Sequence, residues 1–464
     1  MIWLRVLFSF LIPVFLGIQC LKLILQNQKL DKLLTLALAY GLGWGILTHT
    51  MLIIGILRIP YTFFNLIVAL AAVSLILFLS LRLIPARREE ITTSPTNIDP
   101  DISRVNIFFK FAIYFFLAYY SIFLIWWSLN IPVYEWDSLA TAAYNAKILF
   151  FEKNLSAQQY FAHQAYPLFV PFVFTWFSIC LGVWEDQIVR LFFPILFFMF
   201  AIIFYNTLKQ LTSRAKALIG LFILTSSNFL MWQAGSTYRD LPMMYFFCTT
   251  VFLLVLWQKS QKETYFQIAS IFSAFGTFVK LEGTAYFGLT ILLAAYILIQ
   301  DKTLSLKIKI KNILKYAYPG ILLCGIYSLY KIFAGYLATE YLQYNFAHIE
   351  YYFTNSIRAF FSAMFFTANW NIVWQILFVG IFINFHKIKT NFSLKTLFLT
   401  LMLFIGLYLT LATISGAQVP YTSPFGLSRF LIHCFPISVI LIVLLFDNDI
   451  SLNQETKTTK ERAS

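Results

Sequence analysis

The segment YPLFVPFVFTWFSICLGV, residues 166–183, decides the membrane topology that the sequence predicts. It is apolar enough to be read as a membrane span, but that reading would place most of the later Lys and Arg residues outside the cell, against the positive-inside rule. If the segment instead lies in the membrane interface, the same cations face the cytoplasm. Pro167, Pro171 and the many aromatic rings also suit an interfacial helix. We therefore predict an outer juxtamembrane helix here.

The composition of the chain requires a lipid environment. Of 464 residues, 60% are hydrophobic and 12% are charged, and the mean hydropathy is +0.76. Soluble domains are about 45–50% apolar and about 25% charged, so this chain carries more apolar surface than a globular core can bury. The net charge of +14 lies in short segments between apolar stretches, which is a topology signal rather than a nucleic-acid footprint. We expect a multi-pass integral membrane protein that contacts the bilayer and no nucleic acid.

The apolar stretches predict an all-α polytopic fold. A spanning helix needs about 20 apolar residues, and thirteen stretches approach this length. The expected spans are residues 2–21, 33–56, 61–81, 106–128, 188–208, 217–234, 241–257, 265–279, 284–300, 316–336, 361–384, 396–413 and 429–446.

The order of these stretches predicts five regions. They are an N-terminal three-helix membrane extension at 1–81, a cytoplasmic linker at 82–105, a membrane core at 106–336 with an outer loop at 129–187, C-terminal membrane helices at 337–446, and a disordered polar tail at 447–464. The Gly41-x-Gly43-x-Gly45 run in the extension is typical of closely packed helices. The five cysteines form no C-x-x-C pair, which argues against a structural zinc site or a disulfide framework.

Two Asp residues stand at predicted outer turns. Asp137 follows the predicted span 106–128, and Asp240 precedes the predicted span 241–257. Partial desolvation at a membrane surface raises the basicity of a carboxylate, which suits a general base. The alternative for each is a helix cap, because Asp is common at helix N-termini.

Further polar groups flank the predicted juxtamembrane helix. Lys147, His163 and Tyr166 precede it or open it, and Arg190 follows it. Cations and hydrogen-bond donors at these positions suit a phosphate, and Arg binds phosphate well through two N–H groups. The structural alternatives are snorkelling of Lys147, a packing role for His163 and an interfacial anchor at Arg190.

Lys280 and Glu282 interrupt a long apolar run, and Arg429 begins the last predicted span from outside. Ionisable groups in such places favour a functional site, with a local ion pair as the alternative for Lys280 and Glu282. Asp137 and Asp240 would then share one face of the protein with several cations, namely Lys147, Arg190, Lys280 and Arg429. This set is suited to moving a sugar off an anionic lipid. Cations neutralise the departing phosphate, and a carboxylate takes the proton of the acceptor hydroxyl. The two Asp residues would also suit Mg²⁺ or Mn²⁺.

This ordered set of motifs resembles membrane-embedded glycosyltransferases of the GT-C fold. That superfamily includes the protein O-mannosyltransferases and the aminoarabinose transferases of lipid A. The similar stretch comprises Trp136-Asp137-Ser138 with Ala146-Lys147, His163 to Leu168, Tyr238 to Pro242, and Lys280 to Gly283.

The resemblance implies an inverting transferase that takes sugar from a polyprenyl-phosphate donor. The implied acceptor is a lipid, glycan or protein of the cell envelope, at the outer (periplasmic) face of a bacterial inner (plasma) membrane. The resemblance also implies Asp137 as the catalytic acid/base, Asp240 as its partner in shaping the site, and Lys280 and Arg190 as phosphate contacts.

Two other functions stay open from the sequence. One is a flippase or transporter for a lipid-linked glycan, which is expected to place charges near the bilayer midplane and to show two related halves. Here the charges cluster at predicted outer helix ends instead. The other is a polysaccharide polymerase or ligase, which would share the outer-face chemistry and the lipid-linked donor.

Overall fold

The computed structural model describes residues 2–26, 28–83, 107–336, 349–414 and 424–448, and within these ranges the chain is helical, without strands. The helices are α1 Ile2–Leu25, α2 Lys32–Ile56, α3 Phe63–Leu83, α4 Ile107–Asn130, α5 Tyr144–Glu152, α6 Phe169–Leu181, α7 Phe192–Leu211, α8 Arg214–Thr225, α9 Asn228–Gly235, α10 Asp240–Ser260, α11 Glu263–Gly276, α12 Glu282–Gln300, α13 Leu306–Ala334, α14 Ile349–Phe365, α15 Val373–Ile383, α16 Phe385–Thr390, α17 Phe392–Ile414, α18 Pro424–Leu431 and α19 Phe435–Leu445.

The described helices confirm the all-α polytopic prediction. Nine of them are long and apolar enough to cross a membrane, and the bent pairs α8–α9 and α18–α19 raise the count to eleven among the described residues. The count of thirteen stays a prediction, because α11 and α15 are shorter than an ordinary span.

The predicted span 361–384 is interrupted. Helix α14 ends at Phe365 and α15 begins at Val373. The interruption docks onto the bend between α8 and α9, where Ser227 Oγ donates to the Asn369 carbonyl at 2.9 Å and Asn371 Nδ2 donates to the Ser226 carbonyl at 2.9 Å. Broken backbone in a membrane bundle needs such partners, since lipid supplies none.

Helix α6 occupies the segment that decided the predicted topology. Its 13 residues extend about 20 Å, which is too short for a hydrocarbon layer of about 30 Å. Every residue of α6 is buried, so its aromatic rings pack inside the protein. Arg5 Nη1 donates to the Leu181 carbonyl at 2.6 Å and caps its C-terminus. Its location relative to the membrane stays a prediction.

Helices α1 and α2 pack closely against each other and against the core. A Cβ atom on Gly43 would lie 1.7 Å from the Pro13 carbonyl oxygen, and Gly41 and Gly45 face aromatic rings of α10 and α11. This confirms that the glycine run allows close helix packing. Helix α2 also contacts α7, which places it beside the core helices. The division into five regions stays a prediction.

Two lysines approach each other at the C-terminal end of α19, the last described helix. Lys216 Nζ donates to Asp447 Oδ1 at 2.7 Å, and Lys387 Nζ donates to the carbonyl oxygens of Leu445 and Asp447 at 2.9 and 3.0 Å. Nearly all of the predicted linker 82–105 and of the predicted tail 447–464 lies outside the described residues.

Candidate active site

One arginine joins the two predicted carboxylates. Asp137 precedes a π-helical turn, Ser138–Ala143, and Asp240 is the first residue of α10. Arg429 of α18 donates from Nη1 to Asp137 Oδ2 at 2.5 Å and from Nε to Asp240 Oδ2 at 3.0 Å. The Asp137 carboxylate caps none of the described N–H groups of the turn that follows it. The cap alternative for Asp137 is therefore wrong, and the side chain faces Arg429.

Asp240 is the buried centre of this arrangement. Lys280 Nζ donates to Asp240 Oδ1 at 2.9 Å, so each carboxylate oxygen faces a cation. The Asp240 side chain is 0% exposed, whereas the Asp137 side chain is 44% exposed. Asp137 is the carboxylate that a bound molecule can reach, and Asp240 is the one that holds the cations in place.

Lys280 lies in the tight turn between α11 and α12, where a Cβ on Gly283 would meet a carbonyl oxygen of α11 at 2.1 Å. Its Nζ is 3.1 Å from Glu282 Oε1. Burial lowers the pKa of Lys280, but the Asp240 and Glu282 carboxylates together outweigh burial and raise the pKa above its ordinary value. The ammonium is thus charged. We call Asp137, Asp240, Lys280, Glu282 and Arg429 the ionic cluster.

His433, which sequence reasoning missed, also faces the cluster. It lies between α18 and α19, which are bent by 62°. The imidazole is buried, with Nε2 3.5 Å from Asp240 Oδ1 and Nδ1 2.7 Å from Tyr286 Oη. Tyr286 Oη in turn hydrogen-bonds Tyr408 Oη. The sequence held one signal, because Arg429 and His433 are four residues apart, a spacing that puts side chains on one helix face.

Tyr166 reaches the site from the loop before α6. The Arg239 guanidinium lies 4.4 Å from the centroid of the Tyr166 ring, and Arg239 Nη1 donates to Thr141 Oγ1 at 2.9 Å. Burial raises the pKa of Tyr166 to about 12, and the Glu282 carboxylate adds to the rise. Tyr166 is therefore a neutral phenol in the electrostatic field of the cluster.

Comparison with known proteins identifies this architecture. The sequence model of the dolichyl-phosphate-mannose-protein mannosyltransferase family matches residues 166–330. The crystal structure of ArnT from Cupriavidus metallidurans in the apo state is similar with a TM-score of 0.52 at 13% sequence identity. The chain has the GT-C fold. The similarity covers 73% of this chain and 60% of the ArnT chain. No curated protein sequence matches this chain significantly.

The segment that matches the family model contains three of the five residues of the ionic cluster, Asp240, Lys280 and Glu282. Residues 166–330 include Tyr166, Asp240 and Lys280, whereas Asp137 and Arg429 lie outside the match. The tertiary structure, through Arg429, brings both outlying residues to the matched segment.

The structure corrects the assignment of Arg190 as a phosphate contact. Its side chain is 0% exposed and is paired with Glu135, with Nη2 3.1 Å from Oε1. The guanidinium also donates to the carbonyl oxygens of Pro132 and Gly235, both at 2.7 Å. Thr237 Oγ1 completes the arrangement by donating to Glu135 Oε2 at 2.9 Å. Arg190 has no surface left for a lipid phosphate. It ties together the two turns that carry Asp137 and Asp240.

Lys147 and His163 are not shown in contact with the ionic cluster. Lys147 is exposed on α5 and forms no ion pair with any side chain in the described part of the chain. His163 is half-buried in the turn before α6, where its carbonyl accepts from the Tyr166 N–H at 3.1 Å. A role in substrate binding stays a prediction for both residues.

The residues of the site do not fit a divalent metal. Among the described side chains, no three His, Cys, Asp or Glu are grouped so that they could hold a metal ion. Both oxygens of Asp240 face cations, and Arg429 takes one oxygen of Asp137. A Mg²⁺ or Mn²⁺ ion at these carboxylates would be repelled by Lys280 and Arg429 or would have to displace them.

Proposed function

We propose that this protein is a membrane glycosyltransferase. It would move a sugar, with inversion, from a polyprenyl-phosphate donor to a cell-envelope acceptor at the outer face of the membrane. The observation that carries the proposal is the bridge from Arg429 to both Asp137 and Asp240 beside Lys280. It joins an accessible carboxylate to two cations suited to a phosphate. The matched family and the ArnT fold support the same reaction class.

Four of the five residues of the ionic cluster have a place in the reaction. The acceptor hydroxyl oxygen attacks the anomeric carbon on the face opposite the phosphate, and its proton passes to Asp137. The bond from the anomeric carbon to the phosphate oxygen breaks, and polyprenyl phosphate departs with the electron pair. Lys280 and Arg429 stabilise the charge that develops on this phosphate. Asp240 is too buried to meet the acceptor and holds the two cations.

Arg429 has a second role in this scheme. Its Nη1 donates to Asp137 Oδ2, so the guanidinium engages the proposed base. An incoming phosphate competes for the guanidinium, because Arg binds phosphate through two N–H groups. Donor binding would thereby free Asp137 for the acceptor proton.

The distribution of cations supports an outer site. Helix α18 carries Arg429 at the cluster, and the other end of the same bent span meets Lys216 and Lys387 at Asp447. Under the positive-inside rule, the Lys-rich end faces the cytoplasm. The ionic cluster at the opposite end then faces outward, which suits a lipid-linked donor presented at the outer leaflet.

Purified protein in lipid vesicles tests the proposal. A panel of polyprenyl-phosphate sugars is supplied with cell-envelope extract, and sugar transfer and release of polyprenyl phosphate are measured. Asp137→Asn should lower transfer roughly 10²- to 10⁴-fold, as expected for loss of a general base. Asp301→Asn is the control, because Asp301 lies in the turn at the other end of α12 and Asn preserves its turn chemistry. Wild-type rates in Asp137→Asn, or translocation of the lipid-linked sugar without transfer, would refute the proposal.

A further inference from the structure

Asp240 has one neighbour that the proposed reaction does not use. His433 Nε2 lies 3.5 Å from Asp240 Oδ1, just beyond a normal hydrogen bond, and it makes none with any described atom. The imidazole is fully buried at 0% exposure, so no bulk water replaces the missing contact. An unused buried donor destabilises the folded protein and therefore needs an explanation.

The surroundings of His433 determine which ring nitrogen carries the proton. Nε2 faces a carboxylate oxygen, and two acceptors would repel each other, so Nε2 is the N–H. An imidazole without exposed surface is most stable uncharged, which leaves Nδ1 as the acceptor. Tyr286 Oη, 2.7 Å away, donates to it, and Tyr408 Oη donates to Tyr286. The donors then all point in one direction, from Tyr408 through Tyr286 and His433 towards Asp240.

The backbone around His433 holds this geometry. The bend between α18 and α19 frees the His433 carbonyl from a regular helical bond, and Cys248 Sγ donates to it at 3.0 Å. The His433 N–H donates to the Phe430 carbonyl at 3.0 Å. Because Arg429 lies one turn earlier on the same segment, both side chains approach Asp240 from the same element.

We propose that His433 is a positioning residue that holds the Asp240 carboxylate when Arg429 turns to the donor phosphate. This rests on the proposed function. In the structure, Arg429 Nε donates to Asp240 Oδ2 at 3.0 Å. When the donor phosphate binds the Arg429 guanidinium, Asp240 loses its ion pair with Arg429 and keeps the one with Lys280. A shift of about half an ångström closes the Nε2–H bond to Oδ1, and hydrogen bonds at such sites commonly tighten only in the complex. Asp240 then still holds Lys280 in place.

The protonation state can be tested without any turnover. The full chain, labelled with nitrogen-15 histidine, is placed in nanodiscs, and the signal of His433 is assigned by its loss in His433→Gln. We expect a neutral ring protonated at Nε2, and a downfield shift of the Nε2–H signal when polyprenyl phosphate is added. Tyr286→Phe should perturb the Nδ1 signal. An unprotonated Nε2 or a doubly protonated ring would overturn the inference.

Binding of polyprenyl phosphate is measured in the same samples by native mass spectrometry. Binding without a response of the His433 signal overturns the inference alone and leaves the proposed function standing. Absence of binding overturns both.

A matched pair of variants tests the consequence for turnover. Gln places an amide N–H where His has Nε2–H, whereas Asn reaches only the position of Nδ1. Using the polyprenyl-phosphate sugar that the wild type turns over best, we expect His433→Asn to lower kcat roughly 10- to 100-fold with little change in the KM for donor. His433→Gln should stay within a few-fold of wild type. Equal loss in both variants, or no loss in either, would overturn the inference.

Discussion

Loss of the Glu135 carboxylate should destabilise the protein far more than loss of a carboxylate in a shorter but exposed ion pair. Glu135 and Arg190 are both 0% exposed and lie 3.1 Å apart. Lys315 and Glu263 lie 2.6 Å apart but are 50% and 39% exposed. The substitution Glu→Gln at 135 and at 263 removes the same charge with the same change of shape, so that burial is the main difference between the two sites.

The magnitudes follow from the two environments. Removing one partner of a buried pair leaves an uncompensated charge and costs about 3–5 kcal/mol. In the Glu135→Gln variant, Arg190 keeps the carbonyl oxygens of Pro132 and Gly235 but has no anion. An exposed pair contributes about 0–1 kcal/mol, since water replaces the lost partner. We therefore expect the apparent melting temperature of Glu135→Gln to fall clearly below that of Glu263→Gln.

The assay is thermal unfolding of the full-length protein in detergent, followed by tryptophan fluorescence at a fixed heating rate because unfolding of such proteins is commonly irreversible. A double variant, Glu135→Gln with Arg190→Met, removes the unpaired charge and should recover part of the loss. Equal melting temperatures for Glu135→Gln and Glu263→Gln would refute the argument from burial. A double variant less stable than Glu135→Gln alone would show that the carbonyl contacts of Arg190, and not its charge, dominate.

Three further outcomes are expected. Gly43→Leu should prevent α1 from packing on α2 and lower the yield of folded protein in size-exclusion chromatography, whereas Gly288→Ala, which meets no atom within 4 Å, should behave as wild type. Burial raises the pKa of Tyr166 to about 12, so the phenol contributes its full stabilisation below about pH 10 and loses it as the pH rises towards 12. In Tyr166→Phe, the melting temperature should therefore decrease less over that pH range than it does in the wild type. Asp240→Asn should bind polyprenyl phosphate roughly tenfold (~1.4 kcal/mol) more tightly, because Lys280 and Arg429 lose a competing anion. Sugar transfer by this variant should fall. Weaker binding of polyprenyl phosphate in native mass spectrometry would contradict this prediction.

The membrane character and the helical fold follow from the sequence because hydropathy is a local property. A run of apolar residues must be helical in lipid, whatever its neighbours in space. The same reasoning located Asp137, Asp240, Lys280 and Arg429, since an ionisable group at the end of an apolar run is costly without a function. The structure joins all four in one cluster.

The partners of these groups could not be read from the sequence. Arg429 and Asp137 are 292 residues apart, and Arg190 and Glu135 are 55 residues apart, so no helical period relates them. Arg190 looked like a phosphate ligand because its position at a helix end is the same in both roles. Only its complete burial against Glu135 and two carbonyl oxygens shows that it ties turns together.

The sequence by itself determined that this chain lies in a membrane, that its helices alternate with charged turns, and which turns carry carboxylates and cations. The tertiary structure decided which of those charged groups contact each other. It also buries Asp240, leaves Asp137 accessible and places His433 beside Asp240. The physical reason is the separation along the chain over which each effect acts. Hydropathy and helix period act over a few residues, whereas charge pairing and burial depend on packing between segments distant in the chain.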